Sequence, residues 1–316
     1  VTATIVAIAM WALCIVLLTR LRSRRDQSIL LAASTIACSM TLNLDSVYFV
    51  VDGLAGASNL VLLLSDALLV FGVYFLARAI LLGVDPSRAA AMTRPFGIAL
   101  FATVVAMTVL FSLIDRGPTT GDFMQTHGAQ AAASGYSAVE YLFIGSVMVL
   151  TSVNCLRAFR RMPALANRIG FFTLGVGAGL GVLLSVLILL FDYSHVFAPE
   201  LDLGRRLGWL YGLLYSGGIV LMAAGLAFPP IGRQIAESRR NRRARQLRAA
   251  LQPLWQRSAA AQYAAEMPAR ATEVERLRRT FIETQDALLR SPELVAGLQP
   301  HEQQALDVAD QFFVRG

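Results

Sequence analysis

Apolar residues along this chain run in long blocks rather than alternating with period two, and the blocks have the length of membrane helices. A transmembrane helix needs about 20 mostly apolar residues to cross about 30 Å of hydrocarbon. Seven runs meet that demand: residues 3–19, 29–51, 59–82, 96–114, 138–159, 169–191 and 209–228. The first reads as a span rather than a signal peptide. Its arginines (Arg20, Arg22, Arg24, Arg25) follow the apolar run instead of preceding it, and no small-residue cleavage site comes after. The pattern predicts an all-α protein, a seven-transmembrane-helix bundle over residues 1–231, with a basic juxtamembrane segment over 232–258 and a small cytoplasmic helical domain over 259–316.

The joints carry their own signals. Pro95 is expected to open the fourth span, where a missing N–H costs nothing, and the pair Pro229 and Pro230 to close the seventh. Gly175, Gly177, Gly179 and Gly181 form two overlapping GxxxG pairs in the sixth span, and Gly208 and Gly212 stand in the seventh. Close packing between neighbouring helices is the plainer reading, and a helix that slides or dimerises the sharper one. No self-similar halves or proline-broken helix pairs of the inverted-repeat kind stand out.

Charge adds direction. All 28 basic residues are arginine and none is lysine, against 21 acids, for a net charge of +7. The loops after the first, third and fifth runs, together with the run ends that lead into them (Arg78, Arg157), hold eleven arginines and those after the second, fourth and sixth hold three (Arg116, Arg205, Arg206), while the tail beyond Gly232 holds 14. That asymmetry predicts a multi-pass protein of the cell membrane with its N-terminus outside and its C-terminus in the cytoplasm. Only 16% of residues are charged and the mean hydropathy is +0.57, which excludes an ordinary soluble domain. Absence of lysine excludes Schiff-base and P-loop chemistry. The three cysteines and three histidines lack disulfide or metal spacing, so no disulfide, metal or cofactor is expected.

The few polar residues within the apolar runs are the candidate chemistry, since an intramembrane carboxylate costs about 2.5–3.5 kcal/mol on insertion scales. Ser34, Cys38, Thr41, Asp45, Tyr48 and Asp52 share one face of a continuous second helix by their spacing. Asp66 lies about 10 Å along the third helix from Asn59, on the same face, so Asp45 and Asp66 are expected at one level. Tyr136 and Glu140 stand near the outer end of the fifth run, Asp192 and Tyr193 at the end of the sixth, and Tyr211 and Tyr215 one turn apart in the seventh. Together they predict an acidic, aromatic-lined pocket open to the outside, with Thr41, Asp45, Tyr48, Asn59, Asp66, Glu140, Tyr211 and Tyr215 as ligand-binding residues for a cation, an amine or a hydrogen-bonded small molecule. The competing reading leaves Glu140 and Asp192 in the interface, and Asp45 and Asp66 satisfied within the bundle.

The tail begins with a dense basic stretch. Arg239, Arg240, Arg242, Arg243 and Arg245 are expected to hold it to anionic lipid headgroups, each charge worth about 1 kcal/mol at such a surface. Nucleic acid is not the expected partner, because no aromatics interleave the arginines. Thr272 and Glu275 form a capping box opening a helix to about Arg290, with Val274, Leu277, Phe281 and Leu288 on its apolar face, and Pro292 and Pro300 start two more helices. His301–Glu302 lacks the second histidine of a zinc-protease motif. Residues 272–316 thus read as a module for a cytoplasmic protein partner rather than an enzyme.

Two stretches carry a family resemblance. VYFVVDGLAGASNLVLLLSDALL, with Tyr48, Asp52, Gly56, Asn59, Leu60 and Leu63, and in the tail LQPLW (Leu251, Pro253, Leu254, Trp255) with ERLRRTFIETQDALL (Arg276, Leu277, Arg279, Glu283, Asp286), resemble an actinobacterial family of seven-span membrane proteins labelled as transporters, with a C-terminal helical domain. Asp66 stands where that family tends to have histidine, and Thr284 and Gln285 replace an Ile-Arg pair. The expected function is a sensor or ligand-binding protein relaying to its cytoplasmic domain. A small-solute or ion transporter is the alternative, and an intramembrane enzyme on lipid or isoprenoid chains the third reading.

Overall fold

A computed structural model of the chain describes residues 2–18, 27–84, 86–258 and 271–314. The arginines expected to follow the first span (Arg20, Arg22, Arg24, Arg25) lie outside them. Every regular element among the described residues is helical, and none is a strand. In order they are α1 (Thr2–Leu18), α2 (Ser28–Leu42), α3 (Asp45–Leu54), α4 (Leu60–Val84), α5 (Pro86–Ser112), α6 (Phe123–His127), α7 (Ala131–Phe159), α8 (Leu165–Phe197), a single 3-10 turn, α9 (Leu203–Arg257), α10 (Glu273–Arg290), α11 (Pro292–Ala296) and α12 (Pro300–Val314).

Five helices among the described residues are long and apolar enough to cross a membrane: Leu60–Val84, Ala89–Ser112, Ala131–Phe159, Leu165–Phe197 and Leu203–Phe228. Helices α2 and α3 meet the same criterion only when taken together, and they are bent by 84° at a short break, as in a broken span or a re-entrant loop. The apolar α1 is shorter, at 17 residues. Their outward faces are apolar as well: Ile98, Phe101, Val105 and Val109 form an exposed stripe along α5, at spacings of three and four that keep one face. Such a stripe is a liability in water and natural in lipid.

The expected continuous helix over 29–51 is corrected by the structure. Helix α2 stops at Leu42, where Asn43 turns its side chain back onto the Ser39 carbonyl at 3.2 Å, and Leu44 takes an extended backbone before α3 begins. A side-chain amide competing for a helix carbonyl is a known way to end or bend a helix. Pro95 is likewise interior to α5 rather than at its start. Nor do Pro229 and Pro230 end a helix, since α9 continues through them to Arg257. A proline removes one ladder bond at a cost of about 3 kcal/mol, and the arginine-, alanine- and leucine-rich sequence that follows is strong enough in helix propensity to resume the ladder.

The chain divides into two compact units, Val1–Pro229 and Pro230–Gly316. In the first, α2 packs on α1 and α4, α5 on α4 and α7, and α8 along α7. Val70 and Leu76 of α4, Met107 and Phe111 of α5, Val147 of α7 and Ala178 of α8 meet at its centre. Small residues permit the closest approach: a Cβ on Gly177 would lie 2.9 Å from the Met222 backbone nitrogen, and one on Gly225 2.7 Å from that of Leu174. The α8 glycines therefore act as packing surface.

The second unit contains the α9 residues from Pro230, so the basic stretch belongs to it. Ala244 and Leu251 of α9 pack with Leu277 and Phe281 of α10 and Ala309 of α12. The expected capping box forms, with the Glu275 N–H donating to Thr272 Oγ1 at 3.2 Å and the Thr272 N–H to Glu275 Oε2 at 2.7 Å. Trp255 Nε1 donates to Glu283 Oε2 at 2.8 Å, and Glu283 also accepts from Arg279 at 2.6 Å. Glu302 accepts from Arg257 and from the Gln299 N–H, which closes the first turn of α12.

Candidate functional site

Three helices bring acids into the interior of the first unit. Asp66 of α4 accepts from the Tyr136 hydroxyl of α7 at 2.8 Å and from Ser65 at 3.2 Å. Glu140, one turn further along α7, is 3% exposed, and Asp192 of α8 is 5% exposed. One carboxyl oxygen of each, Glu140 Oε1 and Asp192 Oδ2, is buried with no hydrogen-bond partner. Glu140 lies within electrostatic reach of both Asp66 and Asp192. The four ion pairs among the described residues all involve other acids, Glu273, Glu283 and Glu302. An unsatisfied buried polar group costs about 1–3 kcal/mol, and more when charged; Ser39, Thr151 and Ser216 leave hydroxyl oxygens in the same condition.

The same unit holds a cavity of about 90 Å³ with an almost wholly apolar wall, and none of the three acids lines it. Met10, Met40, Met148 and Met222 contribute sulfur, and Tyr141 and Tyr215 contribute rings. Helical spacing relates this wall to the acids. Asp66 precedes the lining residue Leu69 by three positions, Glu140 precedes Ile144 by four, and Asp192 follows Leu184 by eight. Asp66 and Glu140 thus lie about one turn from lining residues on the same face, whereas eight positions put Asp192 about 12 Å along α8 from Leu184 and off its face. Tyr211 stands one turn before the lining residue Tyr215, and the two rings stack at 5.7 Å with planes 11° apart. Tyr215 uses its hydroxyl on Met40 Sδ at 2.9 Å, while Tyr211 is partly exposed.

Other residues expected at the site are placed elsewhere. Asp45 is exposed in the first turn of α3, because the break at Asn43–Leu44 removes the shared helical face, so the expected level pair with Asp66 does not form on one straight helix. A carboxylate there complements the helix N-terminus. The Thr41 hydroxyl is occupied by Trp11 Nε1 at 3.0 Å and the Ala37 carbonyl at 2.7 Å. Tyr48 and Asn59 belong to a structural lock. Asp52, fully buried, accepts from the N–H groups of Asn59 and Val61 at 2.8 and 3.1 Å and from the Thr119 hydroxyl at 2.6 Å. It thereby caps α4. Asn59, in the left-handed region at φ 59°, accepts from the Tyr48 hydroxyl and the Thr120 N–H, both at 3.0 Å, and donates to the carbonyls of Gly117 and Pro118. Both ends of its amide are consumed by protein.

In the tail, Arg239, Arg240, Arg242, Arg243 and Arg245 are exposed, with Arg240 also over the Phe312 ring at 5.7 Å. Residues that sequence reasoning passed over are Ser65, Tyr141 and the four methionines. Only the i, i+4 relation of Glu140 to Ile144 and of Ile144 to Met148 pointed to a shared face. Among the described residues no three His, Cys, Asp or Glu side chains gather closely enough to hold a metal ion. Comparison with family models, curated proteins and solved structures gives no match to this chain.

Proposed function

We propose that this protein is a seven-span membrane receptor, N-terminus outside and C-terminus cytoplasmic, whose bundle binds a small molecule beneath its outer surface and relays occupancy to the tail unit. The observation that carries this reading is the pair of buried carboxyl oxygens on Glu140 and Asp192 that find no partner within the bundle, in a unit that also holds an apolar cavity. A fold that keeps such atoms without a partner of its own is arranged to receive one from outside. In this reading α1 and the bent α2–α3 pair complete the seven spans, in line with the arginine asymmetry. The exposed arginines 239–245 meet anionic headgroups, and residues 272–316 meet a cytoplasmic protein. Helix α9 carries both cavity-lining residues and core residues of the tail unit, which supports a relay along one element.

Native mass spectrometry of the full chain extracted from its own membranes tests the binding step. A co-isolated small molecule, released from the wild type and missing from the Glu140→Gln/Asp192→Asn double variant, supports the reading. Recovery of only unliganded chain, from membranes that have not been stripped, overturns it. Saturable flux in proteoliposomes, abolished by Asp66→Asn, replaces a receptor with a transporter.

A further inference from the structure

The apolar core of the first unit falls into two clusters, one built mainly from α4, α5, α7 and α8 and the other from α1 and α2. The cavity draws its wall from both. Leu76 and Met148 belong to the first cluster and Met10 and Met40 to the second, while α8 and α9 add Gly181 and Met222. Six helices thus share one internal volume where the core is divided. A volume left unfilled in a core lowers stability in proportion to its size. Packing does not force glycine along the whole of this wall, since a Cβ on the lining residue Gly218 would meet nothing closer than 3.5 Å.

The wall decides what the cavity accepts. Its only polar side chains are Tyr141 and Tyr215, and the Tyr215 hydroxyl is engaged with Met40 Sδ at 2.9 Å. A buried water needs about two to four polar partners, so a cavity of this kind stays dry and takes apolar guests. No acid or arginine lines it, and an ion entering would give up its hydration without a counter-charge. Size sets the rest. About 150 Å³ in an engineered core takes benzene, so the about 90 Å³ here scales to about four heavy atoms. The methionines are flexible and polarizable and shape themselves to a small guest. We infer that this cavity is a binding site for a neutral, apolar molecule of about four heavy atoms, held by six helices at once. The inference goes beyond the receptor reading and makes no use of the acids that carry it.

Four of the nine methionines line the cavity, so methyl spectra of the full chain in nanodiscs, labelled with carbon-13 at the methionine methyls, report the site directly, and the remaining methionines serve as controls for partitioning into lipid. Isobutene, acetate and guanidinium share a planar Y shape and heavy-atom count and differ in charge, and benzene is the larger neutral probe. Isobutene is expected to shift the signals of Met10, Met40, Met148 and Met222 saturably, acetate and guanidinium to leave them in place, and benzene to bind about tenfold or more weakly than isobutene. Ala223→Leu, which takes up cavity volume, is expected to weaken isobutene binding. Leu69→Ala, which enlarges the cavity, is expected to turn the size preference toward benzene. The inference is overturned by the absence of a saturable shift at the four methionines, by equal shifts from a charged isostere, by benzene binding the wild type as tightly as isobutene, or by a size preference that neither variant moves. If native mass spectrometry recovers only unliganded chain while isobutene binds as described, the receptor reading falls and this site stands. A co-isolated ligand lost in the Glu140→Gln/Asp192→Asn double variant, with no isobutene shift, is the reverse.

Discussion

Asp52 and Glu140 are both acids inside apolar stretches, and what separates them is whether backbone N–H groups reach the carboxylate. Asp52 accepts two of them and the Thr119 hydroxyl, so its burial is repaid within the fold. Removing a hydrogen-bonded charged acceptor of this kind costs about 1.5–3 kcal/mol. Asp52→Ala is thus expected to lower the Tm of the purified protein by several degrees, with Asp45→Ala, at an exposed helix start, changing it little. At Asn59 the left-handed backbone and the saturated amide act together. Asn59→Ala is expected to be more destabilising than Asn59→Gly, because glycine keeps the φ while losing the same hydrogen bonds. Equal losses in thermal unfolding would show that backbone strain plays no part there. Glu140 has no such backbone partners. A neutral amide in place of the carboxyl removes an acid that lies within electrostatic reach of Asp66 and Asp192, so Glu140→Gln should raise Tm in the absence of ligand.

Between helices, closeness rather than composition decides. Gly177 and Gly225 bring the α8 and α9 backbones together, and a branched side chain there has to push backbone rather than a flexible side-chain tip. Gly225→Val is expected to cost about 1–3 kcal/mol or more, measured as loss of Tm, whereas Gly212→Val, with open space around it, should be nearly silent. In the tail unit the sign of a pH effect follows from Glu302. Burial alone raises its carboxyl, but the Gln299 N–H and Arg257 outweigh burial and hold it below its ordinary value. A group whose folded value is depressed adds stability above its unfolded value and loses it as pH falls through the folded one. Protection of the α12 amides against hydrogen exchange, relative to the intrinsic rate at each pH, is therefore expected to fall below the ordinary glutamate value of 4.5. That acid sensitivity should shrink in Arg257→Met, which removes one of the interactions that depress the carboxyl.

For the molecule as a whole, the proposed orientation places the two sides of the bundle in different compartments. Native Cys14 and Cys155 are buried and Cys38 is half-buried, which leaves introduced thiols readable. Thr120→Cys is expected to react with an impermeant maleimide on intact cells, and Gln246→Cys only after permeabilisation. The opposite pattern would invert the topology and move the acid cluster to the cytoplasmic side.

Much of the architecture was legible because membrane helices are specified locally. Long apolar runs and helix period are properties of neighbouring residues, and so are the Thr272–Glu275 capping box and the proline-led starts of α11 and α12. The same locality explains what was misread. Pattern alone made 29–51 one helix, since Asn43 breaks it through a side-chain bond that periodicity does not register. That break moved Asp45 to an exposed turn and gave Tyr48 and Asn59 to a lock with residues 117–120, some sixty positions away. Sequence by itself determined an all-helical, arginine-only, strongly apolar chain and the identity of its few interior acids. Tertiary structure decided which acids meet. Asp66, Glu140 and Asp192 are far apart in the chain and come together through the packing of α4, α7 and α8, where burial leaves two carboxyl oxygens without a partner.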